Sequence, residues 1–168
     1  MLNDQQAWDQ ALTAADEMYD RLPAGTRAEL DGLIDEVMRF KQELVELVTC
    51  AGSSTVCRTC EGQCCLLGKY HVSILDLLAY RKTKAEPVVP SFAAGQVCPY
   101  SGNSGCRMPA DYRPVTCVIF NCQAIEDLLT PTDRQTLQER EKRLRETVSR
   151  ASALCNTRLD RPLLLSCS

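Results

Sequence analysis

The chain has 168 residues, a net charge of −3 and only 5% aromatic residues, so we expect a single domain with a modest apolar core. No stretch approaches the roughly 20 apolar residues of a membrane span, and the first residues lack the basic and apolar runs of a secretory signal. These features argue against a membrane protein and predict a cytoplasmic one.

The charge is unevenly distributed. Residues 1–50 hold four basic and eleven acidic side chains, a balance of −7, whereas residues 57–122 hold seven basic and four acidic ones, a balance of +3. The basic residues form no run and have few aromatic neighbours, which disfavours nucleic-acid binding. The acidic first third has two interpretations, a scaffold or a docking surface for a partner protein.

Two amphipathic helices are predicted within residues 1–50. The first begins at Asn3, which forms a capping box with Gln6. A Pro-Ala-Gly turn ends it, and a second capping box of Thr26 and Glu29 starts a helix that runs to about Cys50. Two such helices joined by a short turn predict an antiparallel hairpin.

The middle of the chain predicts shorter elements. Residues 51–55 are small and polar, so we expect a linker that ends the second helix before the cysteines begin. Residues 66–72 predict a short strand or an extended arm. Ser73 with Asp76 predicts the start of a helix that runs to about Lys82.

A long C-terminal helix is predicted over residues 130–156, because Thr130, Pro131 and Asp133 are an N-cap, a first-position proline and a first-turn acid. The predicted fold is therefore mostly α, a single domain over residues 1–168. In it, the helical hairpin (1–50) and the C-terminal helix brace an irregular, cysteine-rich metal-binding core (57–122).

Eight of the eleven cysteines fall within that core: Cys57, Cys60, Cys64, Cys65, Cys98, Cys106, Cys117 and Cys122. Thiolates at such short spacings are a soft ligand set that a loop can wrap around one centre. In a cytosolic chain this pattern favours metal over the alternatives, disulfides or free structural thiols. Neighbouring side chains diverge, so Cys64 and Cys65 are expected to serve different metal atoms, or only one of them to ligate.

The eight thiolates fit two four-sulfur sites or one polynuclear cluster. Crowded thiolates in a chain with a single histidine favour an iron–sulfur cluster, and structural zinc is the alternative. Metal binding is expected to be coupled to folding and worth roughly 10 kcal/mol or more. The basic residues of the core are expected to offset the thiolate charge.

Other candidate residues carry weaker signals. Cys50 and Cys167 are possible extra ligands, whereas Cys155, on the apolar face of the last helix, is expected to be a small buried hydrophobe. His71 is expected to be a surface or hydrogen-bonding histidine, with ligation or proton transfer as alternatives. Arg113 is expected either to hydrogen-bond cluster sulfurs or thiolates, or to interact with Asp111 or a helix end.

The cysteine spacing resembles a known family. The elements are Cys57-x-x-Cys60-x-x-x-Cys64-Cys65, Cys98-Pro99, Gly105-Cys106, Tyr112-Arg113-Pro114 and Cys117-x-x-x-x-Cys122. Over about two-fifths of the chain they are similar to the CxxCxxCC cysteine-cluster family, the YkgJ-type zinc- or iron-chelating domain. Three residues separate Cys60 from Cys64, where the family name has two, and Val118 stands where members often have a basic residue.

The resemblance implies metal chelation rather than a particular reaction. The leading hypothesis is a cytoplasmic iron–sulfur protein in electron transfer or redox sensing. The second is a structural-zinc adaptor that docks a partner protein through its acidic N-terminal hairpin. The third is a metal-cluster enzyme that modifies a protein or peptide, because a flagellin lysine methylase carries a similar cluster. No Ser-His-Asp set, phosphate loop or dinucleotide fingerprint is present.

Overall fold

A computed structural model describes residues 3–60, 65, 68–92, 98–102 and 105–164 of the chain. The predicted mostly α fold is confirmed. The helices are α1 (Asp4–Arg21), α2 (Ala24–Cys50), α3 (Ser53–Thr59), α4 (Ile74–Thr83), α5 (Val115–Ile119), α6 (Gln123–Glu126) and α7 (Pro131–Leu154). A small antiparallel sheet pairs β1 (Ser101–Gly102) with β2 (Gly105–Cys106). None of the helices in this part of the chain has the length and apolar content needed to cross a membrane.

Capping residues start α1 and α7 at the positions that the sequence predicted. Asn3 Oδ1 accepts a hydrogen bond from the Gln6 backbone at 2.9 Å, and the Gln6 side chain accepts from the Asn3 backbone at 3.1 Å. The Thr130 hydroxyl caps α7 by accepting from the Asp133 backbone at 3.1 Å. The start predicted at Thr26 is wrong, because α2 begins at Ala24. Pro23 precedes it, and its ring fixes a φ of −55° that leads directly into the first turn.

Two predictions about the middle of the chain are corrected. The linker predicted over residues 51–55 is partly helical, because α3 begins at Ser53. Gly52 makes this possible with a left-handed φ of 104°, which redirects the chain after α2. The strand or arm predicted over residues 66–72 is instead a 3-10 turn at Gly68–Tyr70, closed by His71 N donating to Gly68 O at 3.2 Å. Residues 66 and 67 lie outside the described part.

The long helices pack in pairs. The α2 helix lies against α7, and α1 lies against α4, while Tyr19 OH donates to Asp31 Oδ1 at 2.7 Å beside the α1–α2 turn. Aliphatic side chains supply most of the core, which is more extensive than the low aromatic content suggests. Its fully buried members include Leu30, Ile34, Leu44, Leu75, Leu78, Leu144 and Leu159. The core continues into the cysteine-bearing segments through Tyr100, Met108 and Val118.

A buried ion pair joins α2 to the start of α4. Lys41 Nζ lies 2.6 Å from Asp76 Oδ1, and both side chains are at most 1% exposed. The other carboxylate oxygen of Asp76 accepts hydrogen bonds from Ser73 N at 2.9 Å and Ser73 Oγ at 2.8 Å. The predicted Ser73–Asp76 cap is therefore present, and Lys41 completes it from a different helix. This arrangement holds the segment that follows His71.

Candidate metal centre

Cys98 lies in a turn that brings its sulfur against another segment. The residue is buried, and Ser101 donates to Cys98 O from its backbone at 3.0 Å and from its hydroxyl at 2.7 Å. Burial raises the pKa of the Cys98 thiol, whereas hydrogen bonds from the backbone N–H groups of Tyr100 and Ser101 lower that pKa in part. The sulfur lies directly over Gly68, where a Cβ atom would overlap it. The turn therefore aims N–H groups at a sulfur held in a fixed place.

Cys106 follows on β2, where it is paired in register with Ser101 of β1. A negative charge on Cys106 raises the pKa of Cys98, and the neighbouring Arg107 cation lowers it. Arg107 is held in place by donating to Pro99 O at 2.8 Å and Val89 O at 3.0 Å.

Cys117 reaches the same place from α5. Although its side chain keeps contact with solvent, the dense protein around the sulfur raises the pKa of Cys117 well above its ordinary value. Charges on Cys98, Cys106 and Cys65 raise it further, as does Asp76. Cys117 thus lies within electrostatic reach of thiols from three other points of the chain. We call Cys65, Cys98, Cys106 and Cys117 the four-thiol cluster.

His71 adds an imidazole beside this cluster. Its Nδ1 lies 3.1 Å from Cys117 Sγ, and burial lowers the pKa of His71, which favours the neutral ring. The expected hydrogen-bonding histidine is therefore observed, and its partner is a cysteine 46 residues further along the chain. Nothing in the local sequence identifies that partner, because the contact depends on how α5 packs.

The remaining predicted ligands lie on adjoining elements. Cys57 is within α3, and the Cys60 thiol approaches Cys57 O at 3.6 Å. The α3 helix packs against α6, whose N-cap residue is Cys122. Cys64 lies outside the described residues. We therefore describe Cys57, Cys60 and Cys122 separately from the four-thiol cluster, because they lie on α3 and at the start of α6.

The three cysteines outside residues 57–122 have different surroundings. Cys50 ends α2 and is exposed, where it lines a groove together with Leu128. Cys155 follows α7 and packs against the hydrophobic core as predicted, and burial raises the pKa of its thiol. Cys167 lies outside the described residues.

Basic residues of segment 57–122 have two kinds of partner. Lys69 Nζ lies 2.5 Å from Asp4 Oδ2, Arg81 pairs with Asp20 at 2.7 Å, and Lys82 pairs with Asp35. These three cations neutralise carboxylates of α1 and α2, whereas the Arg107 cation lowers the pKa of the Cys98 thiol.

Arg113 and Tyr112 fix the segment that leads to Cys117. Arg113 Nε donates to Met108 O at 3.2 Å, a backbone contact that neither prediction for this residue anticipated. Tyr112 stacks on Tyr80 with ring centroids 4.3 Å apart and donates to Thr83 Oγ1 at 2.9 Å. The Tyr112-Arg113-Pro114 element thus anchors the start of α5 to α4, and these contacts do not involve a cysteine sulfur.

Thiolate donors suit a soft metal, but in the part of the chain that the structure describes the candidate ligands do not converge into a coordination site. Among the described residues, the thiols of Cys50, Cys60, Cys98, Cys106, Cys117, Cys122 and Cys155 are free of disulfides. Within that same part of the chain, no three His, Cys, Asp or Glu side chains meet as a ready-made ligand set. The thiols of the four-thiol cluster therefore interact electrostatically, and metal binding would have to bring them to coordination distance.

Comparison with known proteins identified no relative of this chain. No family model matches the chain, and neither the curated proteins nor the solved structures contain a match to it.

Proposed function

We propose that the chain is a cytoplasmic metal-binding protein whose centre is an iron–sulfur cluster used in electron transfer or redox sensing. The four-thiol cluster carries this proposal. Burial and mutual repulsion raise the pKa values of Cys98 and Cys117. A bound cation reverses both effects, because it replaces the lost solvation and attracts the thiolates.

The residues that would hold the cluster are Cys65, Cys98, Cys106 and Cys117. Such a cluster supplies one-electron redox chemistry when bound. Around it, the backbone N–H groups of Tyr100 and Ser101 donate to the Cys98 sulfur, and Arg107 adds a positive charge. Hydrogen bonds and cations near the sulfurs favour the reduced, more negative state, so these groups would raise the reduction potential.

A structural-zinc adaptor is the second candidate, because a set of four thiolates is also typical of structural zinc sites. The partner would then dock on the acidic N-terminal hairpin. Several carboxylates of that hairpin already pair with Lys69, Arg81 and Lys82. The outward face of α1, where Asp9 is exposed and Glu17 pairs with the exposed Arg21 of the same helix, is therefore the better part of the hairpin for a partner.

Anaerobic purification with metal and sulfide analysis tests the proposal. We expect a brown protein with visible absorption that contains iron and labile sulfide. The Cys98→Ser variant should lose the colour and the iron. The Cys155→Ser variant, which removes a thiol outside residues 57–122, should retain both. Zinc without iron or sulfide would replace the first candidate by the second, and a protein with neither metal would overturn both.

A further inference from the structure

The contact between His71 and Cys117 joins two segments that are each held independently. On the histidine side, His71 N closes the 3-10 turn, and the next residue, Val72, is buried and accepts a hydrogen bond from Leu163 N at 2.9 Å. On the cysteine side, Val118 is 4% exposed and anchors α5 against α2. The 3.1 Å separation of Nδ1 and Sγ is thus set by packing on both sides.

The direction of this hydrogen bond follows from the proposed metal centre, on which the present inference rests. A metal-bound thiolate has lost its proton and can only accept. The ring nitrogen 3.1 Å away must then donate. A separation of 3.1 Å between a ring nitrogen and a sulfur is within hydrogen-bonding distance, so the contact already has the geometry of such a donation.

The number of sulfurs supports the same conclusion. The charges of Cys65, Cys98 and Cys106 act on Cys117, so the proposed centre has four thiolates available, the number that a four-coordinate site needs. We propose that His71 is a positioning residue of this centre, with Nδ1–H donating to Cys117 Sγ and no bond to the metal. The hydrogen bond orients the sulfur toward the other three and removes part of its charge, which slows the loss of metal.

The chain contains a single histidine, which makes a direct test possible. In protein labelled with 15N histidine and loaded with 113Cd as a probe, the two ring signals belong to His71 alone. We expect Nδ1 to carry a proton and to show no one-bond coupling to cadmium. We also expect Cys117→Ala and Cys117→Ser to shift the Nδ1 signal, and Cys155→Ala to leave it unchanged.

Each other outcome has a distinct meaning. One-bond coupling between cadmium and a ring nitrogen would make His71 a ligand and overturn the inference. Ring signals that both Cys117 variants leave unchanged in the metal-free protein would also overturn it, since the contact would be absent. If the protein takes up no iron, zinc or cadmium, the proposed function fails, and the inferred donation to a metal-bound sulfur fails with it. A shift of the Nδ1 signal that depends on Cys117 would then show only that His71 and Cys117 are in contact in the metal-free protein.

Metal release provides a readout that separates hydrogen bonding from packing. We expect His71→Leu to release zinc to a competing chelator about tenfold faster than the wild type, in the range seen when such outer hydrogen bonds are removed. His71→Gln keeps an N–H donor and should restore most of the slow release. Both variants should bind as much metal as the wild type. Equal release rates for all three proteins, or a loss of stoichiometry as large as in Cys117→Ser, would contradict the inference.

Discussion

The molecule contains two regions that are held in different ways. The helical frame consists of α1, α2, α4 and α7, whose lengths run from 10 to 27 residues and which bury a continuous aliphatic core. The cysteine region, the described parts of residues 53–71 and 98–126, is built from elements of two to seven residues. Helices and hairpins this short are marginal alone.

This difference indicates a division of labour. The frame closes through apolar burial and the Lys41–Asp76 pair, so we expect it to fold without a cofactor. The cysteine region packs on the frame through contacts such as Tyr112 on Tyr80 and α5 on α2, but its thiols would repel one another as thiolates. Its order should therefore depend on what the thiols bind, and the following predictions test that dependence from the largest expected effect to the smallest.

Metal removal should affect one region and spare the other. If the proposed centre exists, stripping it under reducing conditions removes binding free energy of roughly 10 kcal/mol. We expect amide protection to fall in residues 98–106 and 115–126 and to persist in α2 and α7, as measured by hydrogen–deuterium exchange. Uniform loss of protection would show that the two regions unfold as one unit, and unchanged protection would show that the cysteine region needs no metal.

Breaking the buried ion pair should destabilise the frame itself. Lys41→Met leaves the Asp76 carboxylate uncompensated at 0% exposure. Loss of one partner of a buried pair costs about 3–5 kcal/mol in unfolding free energy, which urea denaturation would measure. The control Arg145→Met removes an exposed pair with Glu141 on α7 and should cost less than about 0.5 kcal/mol. Similar values for the two variants would mean that water reaches Asp76.

The sequence predicted the frame better than the cysteine region because the signals of the frame are local. The capping boxes at Asn3, Ser73 and Thr130 each depend on residues three positions apart. Lys41 carries no such signal. It occurs within α2 like any solvated lysine, and its burial depends on Asp76, 35 residues away in the chain.

The candidate site shows the same limit. Residue type and spacing predict the thiols to be metal donors, but they do not show which thiols approach one another. The grouping of Cys65 with Cys98, Cys106 and Cys117 depends on the turn at Gly68 and on the docking of α5. The contact of His71 with Cys117 is equally a product of tertiary packing.

Two glycine substitutions should have opposite effects in the two regions. A Cβ atom at Gly68 would overlap the Cys98 sulfur, and such overpacking costs about 1–3 kcal/mol. At Gly32, within α2, a Cβ atom would meet nothing within 4 Å. Gly32→Ala should therefore stabilise by about 0.5–1 kcal/mol, because alanine loses less backbone entropy in a helix.

Urea denaturation would measure both changes, and alkylation of Cys98 would report whether the damage in Gly68→Ala is local. We expect faster alkylation in that variant and no change in Gly32→Ala. A Gly68→Ala protein as stable as the wild type, with Cys98 still protected, would show that the sulfur can move aside and that the turn does not fix its place.

The smallest effect tests where α2 begins. Thr130→Ala removes the hydroxyl that caps α7 and should cost about 1 kcal/mol. Thr26→Ala removes the residue that the sequence pattern identified as a cap, but α2 already begins at Ala24, so thermal denaturation should show almost no change. Equal losses in the two variants would place the start of α2 at Thr26. Unequal losses would show that Pro23 sets this end of the frame, because its fixed φ begins the helix without a side-chain acceptor.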